Sequence, residues 1–513
     1  MNTLIDVNLP WLTLLIIWPS VGAVLLWSLR GEAGRKYGRQ IALGFSIVQV
    51  GLAVLASLSF DYDQAGVVQL EETHNWITHI GASYAVGVNG VGLMLIWLSV
   101  FLTPLVILAA WREQKQDLNR LRHYLALILV LETFMVAIFA ARDVFLFYVV
   151  FEAMLIPVYF LVGRFGNAQR RAAAIKFLIY SLAGGLVMLV AVIGLVVQGP
   201  GGPQAFLVDN LTGLALDPTL EKWLFLGFFI AFAIKAPMFP VHAWLPDTAQ
   251  AAPVGTSSLL VGVLDKVGTF GMLTLCLPLF PNASSWAAPV ICVLAVISIL
   301  YGALLAIGQR DLLRLIAYTS VSHFGFIVLG IFIGNETAAA GASFYMFNHG
   351  ISTGALFLLA GVLIARRGTA DITAFGGWQR VTPVLAGTFL VAGLSALGLP
   401  GLSTFVSEYM VIVGSLAISK PLGVLAGLGV VLAAIYVLRT YQQIFTGPAE
   451  GEHAKARDLS KREKAVIAPL IAGLVALGFF PAPMVDLVQP AAAESVTQVT
   501  VDHSAAVVEG SEQ

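Results

Sequence analysis

Apolar runs of about twenty residues recur along the whole chain, separated by short polar stretches. A helix needs roughly 20 such residues to cross the hydrocarbon core of a bilayer. The runs lie near 10–29, 41–60, 89–111, 124–140, 144–162, 177–197, 223–240 and 254–277, then near 288–306, 312–333, 338–365, 384–418, 422–444 and 465–481. Strands of a membrane barrel would alternate polar and apolar positions, and these runs do not. The pattern predicts an all-α polytopic membrane protein with about 14 transmembrane helices.

Two runs carry breakers in their middle. The seventh leads into Lys235-Ala-Pro237-Met-Phe-Pro240, and the twelfth contains Gly398-Leu-Pro400-Gly401. Proline removes a backbone donor and glycine weakens a helix, so both spans should be broken within the membrane. They sit at similar places in two five-helix stretches, 124–277 and 288–445. Matching broken helices are the sequence trace of inverted-repeat transporters, with the site at the break. Residues 1–123 then form an N-terminal three-helix segment, and 446–513 a cytoplasmic loop, a last transmembrane helix and a periplasmic tail, expected to be flexible beyond Pro490.

Composition agrees with this. The 513 residues are 58% hydrophobic and 11% charged, with a mean hydropathy of +0.88, whereas a soluble domain carries about 25% charged residues. A formal net charge of −1 argues against nucleic acid as a partner. Cys276 and Cys292 are too few for an iron–sulfur cluster, which takes about four thiolates, and no metal-ligand spacing occurs. The first residues lack the basic stretch of a cleaved signal. Lysine and arginine concentrate in alternate loops: Arg30, Arg35, Lys36 and Arg39; Arg112, Lys115, Arg120 and Arg122; Arg164, Arg170, Arg171 and Lys176; and later Arg310, Arg314, Arg366, Arg367, Arg380, Lys455, Arg457, Lys461 and Arg462. Cytoplasmic loops carry this excess. With an even number of spans, both termini face the periplasm.

Charges within the spans point to chemistry. An ionised side chain at the bilayer centre costs about 2.5–3.5 kcal/mol on insertion scales, so it faces the interior and marks a pathway. The candidates are Glu132, Glu152, Lys235, Asp265, Lys266 and Glu408, with His323 and His349 as groups that titrate near neutral pH. Structural ion pairs need fewer charges than this, whereas a proton relay needs many. Glu132 and Asp265 lie nearest span ends, where a packing role is an equal reading. Lys235 is expected to switch its charge with Glu152, and the relay to run through Lys235, Lys266, His323 or His349, and Glu408, bridged by hydroxyls and water. His242 and Asp247 read as a satisfied surface contact.

Several long motifs carry a resemblance. His242-Ala-Trp244-Leu-Pro246-Asp247 through Pro253-Val-Gly255-Thr-Ser257-Ser258, with Leu264-Asp-Lys266-Val-Gly268, resembles the antiporter-like subunits of respiratory NADH:quinone oxidoreductase, complex I. Leu313-Arg314 through Tyr318-Thr-Ser320-Val-Ser-His323, Asn348-His349, and Phe151-Glu152-Ala-Met-Leu-Ile-Pro157 are similar to further motifs of that superfamily, which covers nearly the whole chain. Glutamate at 408, where other branches have lysine, resembles the M branch (subunit 4 in mitochondria).

The resemblance implies a proton-translocating membrane subunit in which Glu152, Lys235, Lys266, His323, His349 and Glu408 carry protons. It implies no cofactor in this chain: FMN, iron–sulfur clusters and quinone would be bound by other subunits. The partners would be the L-type and N-type antiporter-like subunits and the lipid of a bacterial inner membrane. A subunit of an Mrp-type cation/proton antiporter, a membrane-bound hydrogenase subunit and a purely structural membrane scaffold are the competing readings.

Overall fold

The computed structural model describes residues 9–29, 31–111, 117–449 and 455–509. Arg30, Arg112 and Lys115 of the basic loops, and residues 1–8, lie outside that range. The chain folds into a bundle of helices whose apolar side chains form one large core, with a small separate cluster of Ala339, Ala340, Ala492 and Val496. Among the described residues, eleven helices are long and apolar enough to cross a membrane. A twelfth span results if Lys461–Phe479 and Ala482–Thr497, bent by 74° at their junction, count as one. The multi-pass helical architecture is as expected, and by length and composition alone eleven or twelve spans qualify.

The seventh predicted run falls outside the eleven because its helix carries Glu221, Lys222 and Lys235, and the twelfth because its two halves are each too short. Pro218–Lys235 ends at Lys235, the chain turns through Ala236 to Ala243, and Trp244–Ala251 resumes. Pro383–Ala396 and Ser403–Ile418 flank a non-helical stretch in which Gly398 (φ +76°) and Gly401 (φ +91°) adopt left-handed backbone conformations. A side chain with a Cβ meets steric resistance there, so glycine is what permits this turn.

The eighth run departs from expectation in another way. It contains two π-helical segments, Leu260–Leu264 and Met272–Cys276, around the short α-helix Lys266–Gly271. Such bulges release backbone carbonyls from the regular ladder and are frequent at functional sites.

Contacts sort the loops to the two ends of the bundle. At one end Arg120 donates to Arg164 O (2.7 Å), Asn167 to Gln250 O (2.9 Å), and the Gly377 amide to Thr446 O (2.8 Å). The basic loops thus gather there. At the other end, between the second and third apolar runs, the chain forms an antiparallel hairpin of β1 (Gln69–Ile77) and β2 (Ala82–Val88). Glu72 on β1 accepts hydrogen bonds from the backbone of Leu12 (2.9 Å) and Thr13 (3.2 Å), capping the first helix, Trp11–Ser28. Such a carboxylate satisfies amides that have no partner within the helix.

The C-terminal segment, where the tail begins, is helical in the structure. Ala482–Glu509 is helical and lies across the hairpin end, with Leu487, Val488, Ala491 and Ala492 buried. The Leu487 carbonyl packs directly on Gly90, and Pro490 packs on Gly66. Contacts made by Leu487, Val488, Ala491 and Ala492, close to Pro490, dock its first turns.

Candidate functional site

Glu152 sits near the end of Val144–Ala153, just before the kink at Met154. Its carboxyl fits against Gly185 of the neighbouring helix Arg170–Gln198, where any Cβ would collide with a carboxylate oxygen. Glu408 has the same relation to Gly398 in the second broken span. Each acid therefore occupies a notch that a glycine leaves open.

Lys235 is the last residue of its helix, where the helix dipole favours a cation. It is 2% exposed, and its Nζ has no hydrogen-bond partner among the described residues. Instead it faces the rings of Phe151 (5.0 Å) and Phe177 (5.4 Å). Desolvated cation–π contacts of this kind contribute about 2 kcal/mol, which offsets part of the lost hydration. Glu152 and Asp265 are its electrostatic partners, without direct contact. The expected Lys235–Glu152 couple is thus separated in this conformation.

Lys266 is placed differently. Its Nζ donates to Val261 O (2.6 Å), a carbonyl within the π-helical segment, and lies 2.7 Å from His349 Nδ1. An ammonium has no acceptor capacity, so it donates to that ring nitrogen. The Phe324 ring covers the ammonium at 5.1 Å. Both Lys266 and His349 are fully buried.

From His349 the contacts continue. Its ring meets His323 edge to face at 5.2 Å. His323 Nε2 lies 3.0 Å from Ala396 O, the carbonyl at the end of the first half of the second broken span, and 3.4 Å from the Tyr436 hydroxyl. Tyr345 packs on His323 at 5.9 Å and donates its hydroxyl to Glu408 Oε1. Asn348 braces the adjacent backbone by donating to Ser403 O (3.0 Å) and Ser407 Oγ (3.2 Å). Lys266, His349, His323 and Glu408 accordingly form one buried series, linked by Tyr345 and Tyr436.

At the basic end, Asp247 accepts from Lys176 (2.6 Å) and Arg314 (2.5 Å), joining the two repeat stretches. Burial pushes its carboxyl up, but hydrogen bonds and charges from both partners more than reverse this and leave it below the usual carboxylate range. Asp247 is therefore satisfied, as expected. His242 is not at the surface: it is 6% exposed, with Nδ1 unpartnered among the described residues and its ring against Tyr301 (5.4 Å) and Tyr318 (6.4 Å).

Tyr345 and Tyr436 are absent from the sequence-derived candidates. Tyr345 precedes His349 by four residues, which places both on one helix face, so spacing held a signal for it. Tyr436 comes from a separate helix, Lys420–Phe445, and nothing local in sequence points to it.

Comparison with known proteins places the chain in a family. Residues 141–435 match the family described as NADH:quinone oxidoreductase/Mrp antiporter, TM, and residues 66–138 match that described as NADH-ubiquinone oxidoreductase chain 4, amino terminus. A Mycobacterium tuberculosis (strain CDC 1551 / Oshkosh) protein named NADH-quinone oxidoreductase subunit M is 43% identical, over 96% of this chain and 95% of its own. The chain belongs to the NADH:quinone oxidoreductase/Mrp antiporter family. A chain of respiratory complex I from Thermus thermophilus superposes on this family member with a TM-score of 0.86 at 30% identity, covering 95% of this chain and 99% of that one. A chain of the Mrp complex from Dietzia sp. DQ12-45-1b shares the family fold, with a TM-score of 0.82 at 21% identity and the same coverage.

Proposed function

We propose that this chain is the M-type, proton-translocating membrane subunit of a bacterial NADH:quinone oxidoreductase. The observation that carries the reading is the buried series from Lys266 through His349 and His323 to Tyr345 and Glu408, hydrogen-bonded at its two ends and joined by ring contacts between them. A purely structural role leaves this much desolvated titratable chemistry unexplained, because removing charges from water is costly unless something uses them.

In this reading Glu152 and Lys235 form the first half-channel, Lys266 is the link, and His349, His323 and Glu408 form the second. The two broken helices are the equivalent parts of two inverted five-helix repeats, and the interrupted spans raise the total to fourteen. The basic end is cytoplasmic, so both termini are periplasmic. NADH, flavin, iron–sulfur clusters and quinone are handled by other subunits, and the L-type and N-type subunits are the membrane neighbours. Relatives named subunit M, together with glutamate rather than lysine at 408, favour this assignment over an Mrp-type antiporter.

The test is NADH-driven proton pumping in membrane vesicles carrying Glu152→Ala, with assembly checked alongside. Loss of both pumping and quinone reduction in an assembled complex is the expected result. Pumping at the level of the unmodified protein would remove Glu152 from the relay.

A further inference from the structure

The relay leaves one junction unbridged. Lys235 and Lys266 are two ammonium groups on different elements, with no shared hydrogen-bond partner among the described residues. An ammonium offers no acceptor, so neither lysine can take a proton directly from the other while both are charged. The residue between them is Asp265.

Asp265 is fully buried, and neither carboxylate oxygen has a hydrogen-bond partner among the described residues. A buried carboxylate is normally satisfied, and one that is not is either strained or functional. Its surroundings are defined by packing. Gly268, one turn later on the same helix face, presses on the Phe232 carbonyl and on Ala236, the residue after Lys235. Asp265 consequently faces the end of the helix that carries Lys235. Lys266 follows it in sequence, and successive helical residues diverge by about 100°, so Lys266 faces His349 instead. The π-helical segment sets this divergence: the Asp265 amide donates to Leu260 O (3.0 Å), and Lys266 Nζ takes Val261 O. Both lysines lie within electrostatic reach of the Asp265 carboxyl.

We infer that Asp265 is a proton-carrying residue that connects the two half-channels, accepting from Lys235 and delivering to Lys266. The inference rests on the relay reading above. In the first step the Lys235 ammonium gives its proton to the Asp265 carboxylate, leaving a neutral amine and a neutral carboxylic acid. In the second, after Lys266 has passed its own proton towards His349, the Asp265 acid protonates the Lys266 amine and becomes a carboxylate again. One proton moves, no electrons are exchanged, and the aspartate is regenerated. The charges along the path then alternate as Glu152, Lys235, Asp265 and Lys266, an arrangement that lets each buried ion face one of opposite sign.

The experiment measures the rate of NADH-driven proton pumping in vesicles with the assembled complex, for Asp265→Asn, Asp265→Glu and Lys235→Ala. Asparagine keeps the volume of the side chain but cannot carry a proton. Asp265→Asn is expected to reduce the pumping rate at least tenfold, within the range of about 10²–10⁴ known for positioned acids and bases, and glutamate to restore it. If Asp265→Asn pumps like the unmodified protein while Lys235→Ala is impaired, Asp265 is not in the path although the relay stands. If Lys235→Ala pumps normally too, the relay reading itself fails. Should Asp265→Asn not assemble, infrared difference spectra between oxidised and NADH-reduced complex decide the matter. A carboxylic acid band that moves when glutamate replaces Asp265 supports the role, and identical carboxyl bands overturn it.

Discussion

Lys266 and His349 meet at 2.7 Å with the lysine donating to Nδ1, while the other ring nitrogen, Nε2, has no partner among the described residues. An imidazole that receives a proton on one side and is free on the other is poised to pass it on by losing the proton at its far nitrogen. His323 packs against the same ring at 5.2 Å.

Replacing His349 by Gln tests this directly. Glutamine offers an acceptor to Lys266 but cannot relay a proton through conjugated nitrogens. The pumping rate of the assembled complex is expected to fall by about 10² or more, the lower bound for losing a positioned acid–base group. Pumping unchanged from the parent protein in vesicles would remove His349 from the path.

Tyr345→Phe leaves Glu408 without its donor while keeping the ring packed against His323. An unsatisfied buried polar group costs about 1–3 kcal/mol. The variant should assemble, lose a few degrees in thermal midpoint, and pump more slowly. A midpoint and a pumping rate equal to the parent's would show that the hydroxyl contributes nothing.

Gly398→Ala is expected to be severe. The residue has φ +76°, and a Cβ there would strike the Glu408 carboxylate. Left-handed backbone alone costs roughly 1–2 kcal/mol for a residue with a Cβ, and displacement of Glu408 adds to it. Blue-native electrophoresis of the complex, followed by pumping assays on whatever assembles, measures both effects.

Asp247→Asn probes the basic rim. The side chain is 36% exposed, so its two ion pairs are solvent-screened and together should contribute no more than about 1 kcal/mol. Its carboxyl is held below the usual value, so the charged form is the one folding favours. That contribution is present above the unfolded carboxyl pKa of about 3.9 and lost as pH falls through the lower, folded one. Unfolding midpoints of parent and variant should differ slightly at neutral pH and converge in strong acid. A difference that grows on acidification would contradict the assignment.

The helices were readable because an apolar run of membrane length has few alternatives. The buried acids, lysines and histidines were readable because charge within such a run is rare. Their order was not. Lys266, His349, His323 and Glu408 lie on four separate helices, and only packing decides that Lys266 faces His349 while Lys235 faces Phe151 and Phe177. The π-helical segments around Lys266 leave no mark in composition, since no proline or unusual residue produces Leu260–Leu264. The hairpin Gln69–Val88 was missed for a related reason, since its polar, charged first strand resembles a loop.

The two halves of the site differ in continuity. From Lys266 to Glu408 side chains touch in sequence, whereas Lys235, Glu152 and Asp265 stand near one another with their polar atoms unjoined. In the language of circuits, one half is wired and the other is an open switch. A proton on Lys266 therefore has a hydrogen-bonded partner ahead of it in His349, whereas the polar atoms of Lys235 and Asp265 behind it are unjoined among the described residues, so the input side is where this conformation holds protons apart.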